Sequence, residues 1–318
     1  RLTARRFIGS HDWYREGTEH LLTLKGDLSD HWKGPIFPET DPHIATSFAL
    51  LFLTKGRRPV LMAKMEYGKD SDWNAHPADV GNLTQAVEKA WKMNLTWQVV
   101  NMDQASVDDL SQSPVLFLCG GEQSPLPTSP VERKALAQKL RDYLERGGFL
   151  FVDAYCRGED FDRGFRALLR EMLPEEEYQL RPIEPGHPVW HAEIPIKPDQ
   201  LRPLLGVDFG CRTSIIYSPP GSLGSGGAVS LRPSLSCLWQ LSRPPRGETY
   251  PASVTAKTDA AIAIGINVLA YATNRELKYK YEIPAHLTDT SSDAGFERGR
   301  IYVANLQHPG GCNAAPGA

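Results

Sequence analysis

Two runs of consecutive apolar residues, at 115–118 and 149–152, are the clearest hydrophobic signal in the chain. Strands of a parallel sheet are buried on both faces and read as continuous apolar runs, so both runs are predicted to be such strands. The amphipathic segment between them predicts a helix at 130–146. Together they form a β-α-β unit with a cysteine after each apolar run, Cys119 and Cys156.

The alternation of strand and helix patterns extends over most of the chain. It predicts further strands and helices, with strands at 60–66, 97–101 and near 214–217 and helices at 77–94, 160–173 and near 259–273. Such alternation implies a parallel sheet with right-handed crossovers. We therefore expect an α/β fold with a flavodoxin-like, doubly wound, mainly parallel sheet. Residues 243–256, poor in apolar residues and rich in Pro and Gly, are predicted to be a surface loop.

The pattern also divides the chain into four segments. Residues 1–57 are predicted to be a short all-α segment, and 58–283 carry the α/β pattern. The polar residues 284–298 are typical of a linker. The pattern of the predicted strand at 60–66, followed by Asn-Ala and Pro, recurs near the end of the chain. Residues 299–318 are therefore expected to be the first strand of a truncated second copy of the domain.

Composition and charge narrow the possible partners. The chain has 41% apolar and 23% charged residues, which is typical of a globular protein. Its formal net charge of -3 comes with both signs interspersed, so we expect no nucleic-acid partner. No apolar stretch approaches the roughly 18 residues of a membrane span, and none is expected in this segment. The five cysteines form no CxxC pair and the histidines show no ligand spacing, so we expect no metal and no cofactor.

Ligands of open α/β sheets bind at the carboxyl ends of the strands, near the point where the strand order reverses. The residues that follow the predicted strands are therefore candidates for a ligand site: Trp73, Asn74, Cys119, Gly120, Gly121, Glu122, Asp153, Tyr155 and Tyr217. The amides of Gly120 and Gly121 would suit an anion, and the alternative is a tight turn that needs positive φ. Ligand binding predicts a pocket lined by Trp73, Asn74, Glu122, Tyr155 and Tyr217.

Cys156 is the candidate nucleophile. The segment 154–158, Ala-Tyr-Cys-Arg-Gly, resembles the Gly-x-Cys-x-Gly elbow of class I glutamine amidotransferases, in which a strand-to-helix turn exposes a thiolate for attack on an amide. His191 and Glu193 form a His-x-Glu pair of the kind that supplies the base in those enzymes. Ala154 replaces the first glycine of that elbow. The His191–Glu193 pair lies nearer to Cys156 in sequence than the corresponding pair lies to the nucleophile in those enzymes. The alternative is a structural thiol.

Two further motifs have both a structural and a functional interpretation. His187 precedes a proline and is held extended, so that it presents its ring to a pocket or caps a strand. Its His-Pro-aliphatic turn resembles one in amidotransferase-like domains that lack the nucleophile, and His187 joins the candidate ligand site. Asp153, Asp160 and Asp162 would hold a hard cation or cap the next helix, and we expect Asp160 to be a helix cap.

Longer stretches resemble the bacterial domain-of-unknown-function family 4159, in the order and spacing of residues 115–121, 140–154, 161–166, 186–188, 216–219 and 265–272. The resemblance implies the class I glutamine-amidotransferase-like superfamily and its fold, without an assigned activity. Residues 13–17, Trp32 and 45–51 resemble the last repeat of the α/α-toroid of squalene-cyclase and prenyltransferase-like proteins. Together these resemblances imply a multi-domain protein with a toroid before the domain and a tandem related domain after it.

Three functions remain open on the sequence. The leading hypothesis is a non-catalytic amidotransferase-like domain that binds a small polar ligand or a protein partner. The second is a cysteine-dependent amidotransferase or hydrolase that uses Cys156 with His191 or His187. The third is a structural spacer without a pocket. The sequence leaves the compartment open, with a periplasmic or envelope-associated bacterial protein as the expected setting.

Overall fold

The computed structural model describes residues 4–25, 29–54, 58–68, 72–122, 126–156, 158–197, 203–221 and 233–275. All of them belong to one structural unit. The predicted linker at 284–298 and the predicted second copy at 299–318 lie outside the described residues.

Two helices form the N-terminal segment, as its hydrophobic pattern predicts. A short hairpin of β1 (Phe7–Ile8) and β2 (His11–Asp12) precedes α1 (Trp13–Leu24), and α2 (Pro42–Leu53) follows. Each helix begins after an aspartate cap, because the carboxylates of Asp12 and Asp41 accept hydrogen bonds from backbone N–H groups of the first turn. The side chain of Trp32 packs with Ala45 and Ala49 of α2.

The α/β part of the chain begins after these helices. Its elements are, in chain order, β3 (Val60–Glu66), α3 (Asp79–Trp91), β4 (Thr96–Asn101), α4 (Val107–Leu110), β5 (Val115–Gly120), α5 (Pro130–Glu145), β6 (Phe149–Ala154), α6 (Glu159–Met172), β7 (Arg181–Pro182), β8 (Leu205–Phe209), β9 (Arg212–Ser218), α7 (Leu235–Leu241) and α8 (Ala252–Thr273). A single 3-10 turn, Asp72–Asn74, follows β3, and a second, Pro188–Trp190, precedes β8.

The sheet has seven strands in the order β4-β3-β5-β6-β9-β8-β7. The first five run parallel, and at one edge β8 pairs antiparallel with β9 and β7 pairs antiparallel with β8. The predicted flavodoxin-like, mainly parallel sheet is confirmed. The chain passes from β3 outwards to β4 and then returns to the other side of β3 as β5, so the strand order reverses between β3 and β5.

Each face of the sheet has its own hydrophobic core. Helices α5 and α6 cover one face, which we call the α6 face; α6 buries a stripe there that consists of Phe161, Phe165, Leu168, Leu169 and Met172. Helices α3, α7 and α8 cover the other, the α8 face. Side chains alternate between the faces along each strand, so Phe117 and Cys119 point to the α8 face while Leu116 and Leu118 point to the α6 face.

Residues 4–6 attach the N-terminal segment to the edge of the sheet. The N–H of Arg6 donates to the carbonyl of Val99 at 3.0 Å, and the N–H of Val99 donates to the carbonyl of Ala4 at 2.8 Å. The Arg6 guanidinium is buried and pairs with Asp109 at 2.6 Å and Asp12 at 3.0 Å. The segments on either side of the boundary predicted between residues 57 and 58 are therefore linked by backbone hydrogen bonds and a buried arginine.

The structure contains elements that the hydrophobic pattern does not predict. Helices α4 and α7 and strands β7 and β8 are too short for a period to be read, and β7 has only two residues. Helix α8 begins at Ala252, so the surface loop predicted at 243–256 is wrong in its last residues. The first turns of α8 are mostly exposed and made of small or polar residues, so no apolar face marks them in the sequence.

Candidate functional site

Four neighbouring parallel strands each place a fully buried polar side chain near the carboxyl edge of the sheet, on the α8 face. We call this set the polar row: Lys64 on β3, Cys119 on β5, Asp153 on β6 and Ser218 on β9. Cys119 lies opposite Asp153 in the strand register, and Asp153 lies opposite Ser218. Parallel strands bring their carboxyl ends together, so residues separated by up to 154 positions form one cluster.

Lys64 and Asp79 form a buried ion pair at one end of the polar row. The Lys64 Nζ lies 2.8 Å from each carboxylate oxygen of Asp79, and it also donates to the backbone carbonyl of His76 at 3.0 Å. Both side chains are completely buried. Burial raises the pKa of Asp79 to about 6, although the neighbouring lysine opposes the shift. The ion pair fixes the loop after β3 against the start of α3.

Cys119 is a buried thiol inside a hydrogen-bonded group of aromatic residues. Its Sγ donates to the carbonyl of Trp73 at 3.1 Å, and the Tyr155 hydroxyl lies 3.2 Å from the same sulfur. The Tyr67 hydroxyl donates to the Cys119 carbonyl at 2.5 Å. Burial raises the pKa of the Cys119 thiol to about 12. The thiol is therefore neutral at neutral pH.

Asp153 connects β6 to helix α7. Its two carboxylate oxygens accept hydrogen bonds from the N–H groups of Leu235 at 3.2 Å and Ser236 at 2.9 Å, in the first turn of that helix. A helix N-terminus attracts negative charge, and here the charge is supplied from within the chain. Beside it, the Ser218 Oγ is buried and has no hydrogen-bond partner within the described part of the chain.

His76 joins the polar row to the surface. Its Nδ1 lies 3.2 Å from the Ser236 Oγ, and its ring meets the Tyr155 ring edge-on, with 4.6 Å between the centroids. Its side chain is half-buried, unlike the four members of the polar row. Asn74 is also half-buried at this edge, and Glu122 and Cys156 are exposed there. Through these polar side chains, among the described residues, the edge meets solvent.

Gly120, the last residue of β5, permits close packing of a helix, and the suggested binding of an anion by the amides of Gly120 and Gly121 stays a prediction. Neither Gly120 nor Gly121 has a positive φ, so the tight-turn interpretation is wrong. A Cβ at Gly120 would lie 2.4 Å from a ring carbon of Phe161 and 2.8 Å from the Tyr67 hydroxyl. Glycine is needed at this position because α6 packs an aromatic ring directly on the strand.

Three of the five predicted pocket side chains, Trp73, Tyr155 and Tyr217, are buried. Trp73 and Tyr155 are only 5% and 4% exposed, and they contact the polar row from within the core. Tyr217 points to the α6 face, where its hydroxyl donates to Asp162 at 2.7 Å. Side chains alternate along β9, so Tyr217 and Ser218 point to opposite faces. The structure thus brings together Trp73, Cys119, Gly120, Asp153 and Tyr155, and separates Tyr217 from them.

The predicted catalytic histidine and glutamate lie away from Cys156. His187 is 3.1 Å from the Thr213 Oγ1 at the start of β9, and burial lowers the pKa of its imidazole. His191 follows in the same segment, and the Glu193 carboxylate pairs with Arg275, just past the end of α8. This segment lies at the amino edge of the parallel strands, whereas Cys156 follows β6 at the carboxyl edge. The structure does not bring the three residues together.

Asp160 and Asp162, which follow β6, form ion pairs within α6 and do not cap it. The helix begins after Gly158, with no side-chain cap, so the expectation that Asp160 is the cap is wrong. Asp160 lies in the first turn and pairs with Arg163, and Asp162 pairs with Arg166 at 2.9 Å. Negative charges in a first turn stabilise a helix through its dipole. Within the described ranges, no group of three His, Cys, Asp or Glu side chains is placed to hold a metal ion.

A family model described as a domain of unknown function (DUF4159) matches residues 61–273, more than half of the chain. The chain belongs to this family. No curated protein matches it. The DUF4159 match begins one residue into β3 and ends at the last residue of α8, so it contains the whole polar row and leaves α1 and α2 outside. None of the described helices is both long enough and apolar enough to cross a membrane.

Sequence reasoning missed Lys64, His76, Asp79 and Ser236 as members of the site. One signal was present, because Lys64 interrupts the otherwise apolar run of β3. A lysine is almost never fully buried unless it is paired, so its position predicts an acidic partner nearby. The sequence does not show that this partner is Asp79, which is fully buried in the first turn of α3.

Proposed function

We propose that this DUF4159 domain is a non-catalytic binding domain that takes a small polar ligand at the carboxyl edge of the sheet, beside His76. The observation that carries the proposal is the polar row, in which four neighbouring strands each bury a polar side chain at one edge. Burying such groups costs free energy, so folds generally avoid it. The exceptions occur mainly at functional sites. An apolar row would serve a purely structural spacer better.

His76 is the residue through which a ligand would reach the polar row. Its carbonyl accepts from Lys64, and its ring contacts Ser236, whose N–H is held by Asp153. A ligand that binds the half-buried imidazole would therefore be coupled to both charged members of the row. This arrangement supports recognition by hydrogen bonds to a rigid, pre-formed set of groups.

The groups at this edge favour a neutral polar ligand. Asn74 and His76 offer both donors and acceptors, whereas the carboxylates of Glu122, Asp153 and Asp79 would repel an anion. Amides and sugar hydroxyls have the matching chemistry. The resemblance of residues 154–158 to the glutamine-amidotransferase elbow supports the same class, and an amidotransferase-like ancestry of the domain is part of this proposal.

The proposed absence of catalysis rests on the two cysteines of the edge. Cys119 is buried as a neutral thiol, with its pKa raised to about 12. Cys156 is exposed, but the His191–Glu193 segment that would activate it lies at the opposite edge. A nucleophilic cysteine needs a base within about 3 Å or one water.

Alkylation of Cys156 by iodoacetamide, followed by mass spectrometry across a pH series, tests whether a base activates this cysteine. Cys211 is also exposed, in the turn between β8 and β9, and serves as an internal reference thiol. We expect Cys156 to react no faster than Cys211 at any pH of the series, because a thiolate activated by a base would react faster. A rate for Cys156 that is already maximal well below the midpoint for Cys211 would contradict the non-catalytic proposal.

Ligand binding is tested by titrating the labelled protein with L-glutamine and with D-glucose, while amide chemical shifts are followed. We expect one of them to shift the signals of Asn74, His76 and Ser236, and His76→Ala to remove the effect. Lys89→Ala, at an exposed position of α3, is the matched control and should leave the shifts unchanged. Shifts that persist in His76→Ala, or that lie elsewhere, would place the ligand away from the polar row.

A separate observation favours a protein partner on the N-terminal helices. The α2 side chains of Phe48, Leu50 and Leu51 are exposed, and an apolar groove of about 330 Å³ lies between α1 and α2. We propose that residues 1–57 are the end of a larger helical assembly of the α/α-toroid type, whose further helices cover this groove. Amide hydrogen exchange of α1 and α2 should then be slower in a longer parent protein than in this chain. Equal exchange rates would contradict this arrangement.

A further inference from the structure

A second, chemically different cavity lies on the α6 face of the molecule. It occupies about 700 Å³ between α5 and α6, and its principal side chains are Arg133, Lys134, Arg141, Arg170, Glu171 and Met172. We call it the α5–α6 cleft. The polar row lies on the other face of the sheet, so the cleft is independent of the proposed ligand site.

The cleft contains more positive than negative charge. Four of its side chains are cationic and one, Glu171, is anionic, and two further glutamates, Glu145 and Glu175, pair with Arg141 beside it. The Arg133 Nε pairs with that glutamate at 2.8 Å. Lys134 and Arg170 form no ion pair within the part of the chain that the structure describes. This concentration is local, because the chain as a whole has a formal net charge of -3.

The cleft is also pre-organised by contacts around Arg141. Its guanidinium donates to the Met172 carbonyl at 3.2 Å and pairs with Glu175 at 2.8 Å and with Glu145 at 3.0 Å. Arg170 is held by a hydrogen bond of 3.1 Å from its Nε to the Arg166 carbonyl. Guanidinium groups held in this way match the paired oxygens of phosphates and carboxylates.

We propose that the α5–α6 cleft binds a small molecule that carries at least two phosphate or carboxylate groups. One anionic group would pair with Lys134 on α5 and a second with Arg170 on α6. The volume is within the range of about 300–1,000 Å³ that small-molecule sites occupy. The buried Met172 and the neighbouring Pro174 form an apolar floor for the part of the ligand between its charges.

Isothermal titration at low ionic strength, with three probes, tests the proposal. The probes are inorganic pyrophosphate, citrate and inorganic phosphate. We expect pyrophosphate or citrate to bind at least about tenfold more tightly than phosphate, since two charge-assisted contacts replace one. Binding of pyrophosphate alone would identify a phosphate ester as the ligand class, and binding of citrate alone would identify a polycarboxylate.

Charge-changing variants locate the binding. Lys134→Gln and Arg170→Gln should each weaken binding of the best probe about threefold to fivefold, and the double variant Lys134→Glu, Arg170→Glu should weaken it more than about tenfold. Lys89→Glu lowers the charge more than either single Gln variant does, at an exposed position on the α8 face, and should leave the affinity unchanged. The positions 134 and 170 are exposed, so the variants should keep the thermal midpoint of the parent chain.

Three results would overturn the proposal. The first is equal affinity for phosphate and for both polyanions. The second is equal weakening by the Lys89→Glu control. The third is binding of a hexaglutamate peptide without binding of pyrophosphate or citrate, which would make the cleft a surface for an acidic protein segment.

Discussion

Strand β5 and helix α2 are both rich in apolar residues, yet the tertiary structure treats them in opposite ways. Every residue of β5 is buried, because helices cover both faces of the sheet. In α2 only Ala45 and Ala49 are buried, and large side chains such as Leu51 and Phe48 are exposed. A helix that is apolar on most sides is stable in water only when something covers it. The comparison shows that hydrophobicity alone does not reveal which core a segment joins.

The two regions differ in their polar residues as well. The sheet buries complete polar groups, such as the Lys64–Asp79 pair, and satisfies nearly all of them. The ion pair of α1, between Arg15 and Glu19, is exposed to solvent on both sides. The same chemical interaction should therefore have a large effect on stability in one region and almost none in the other.

The largest expected effect comes from breaking the buried ion pair. Lys64→Met should lower the free energy of unfolding by about 3–5 kcal/mol, because it leaves the Asp79 carboxylate buried without its cationic partner. Arg15→Met is the matched control in α1, and it should cost less than about 0.5 kcal/mol. Urea denaturation measures both. A double variant, Lys64→Met with Asp79→Leu, should recover most of the loss, and failure to recover would show that the pair itself is needed for folding.

A matched pair of leucines compares apolar burial in the two regions. Leu118 on β5 is 0% exposed and Leu51 on α2 is 67% exposed. Leu118→Ala should cost about 2–5 kcal/mol through lost burial and the cavity left behind. Leu51→Ala should change the free energy of unfolding by less than about 0.5 kcal/mol, since it creates no cavity. A cost of several kcal/mol for Leu51→Ala would show that α2 is already covered in this chain.

The smallest expected effect is a dependence of stability on pH. Burial raises the pKa of Asp79 from 3.8 to about 6. Its contribution to stability is fully present below the unfolded pKa of 3.8 and is lost as the pH rises through 6. Asp79 should therefore make the protein about 1 kcal/mol more stable near pH 5 than near pH 7. Urea denaturation at several pH values between 5 and 7 gives the free energy of unfolding of the parent chain and of Asp79→Asn. The difference between their slopes against pH isolates the effect of Asp79. Identical slopes would contradict it.

Much of the fold follows from local patterns, and the candidate site follows from them only in part. The apolar runs at 115–118 and 149–152 predict parallel strands, and the structure confirms them. The rule that ligands bind at the carboxyl ends of strands correctly selects Cys119, Asp153 and Tyr155 as neighbours. It fails for Tyr217, because the rule specifies the end of a strand but not the face to which a side chain points.

The proposed pairing of Cys156 with His191 shows a second limit of sequence reasoning. The two residues are close in sequence and suit a known type of chemistry. After β6 the chain returns along α6 to the amino edge of the sheet, and the segment with His191 packs there against Thr213 and α8. Proximity along the chain therefore did not predict proximity in space.

The sequence by itself determines the longer strands and helices of the α/β part and that its central strands run parallel, because the spacing of apolar residues is a local property of the chain. Only the tertiary structure decides which polar residues meet. Strand register brings Lys64, Cys119, Asp153 and Ser218 to one edge and one face, and the packing of α7 adds Ser236 to His76. Such contacts depend on how distant segments pack, and no single stretch of sequence contains that information.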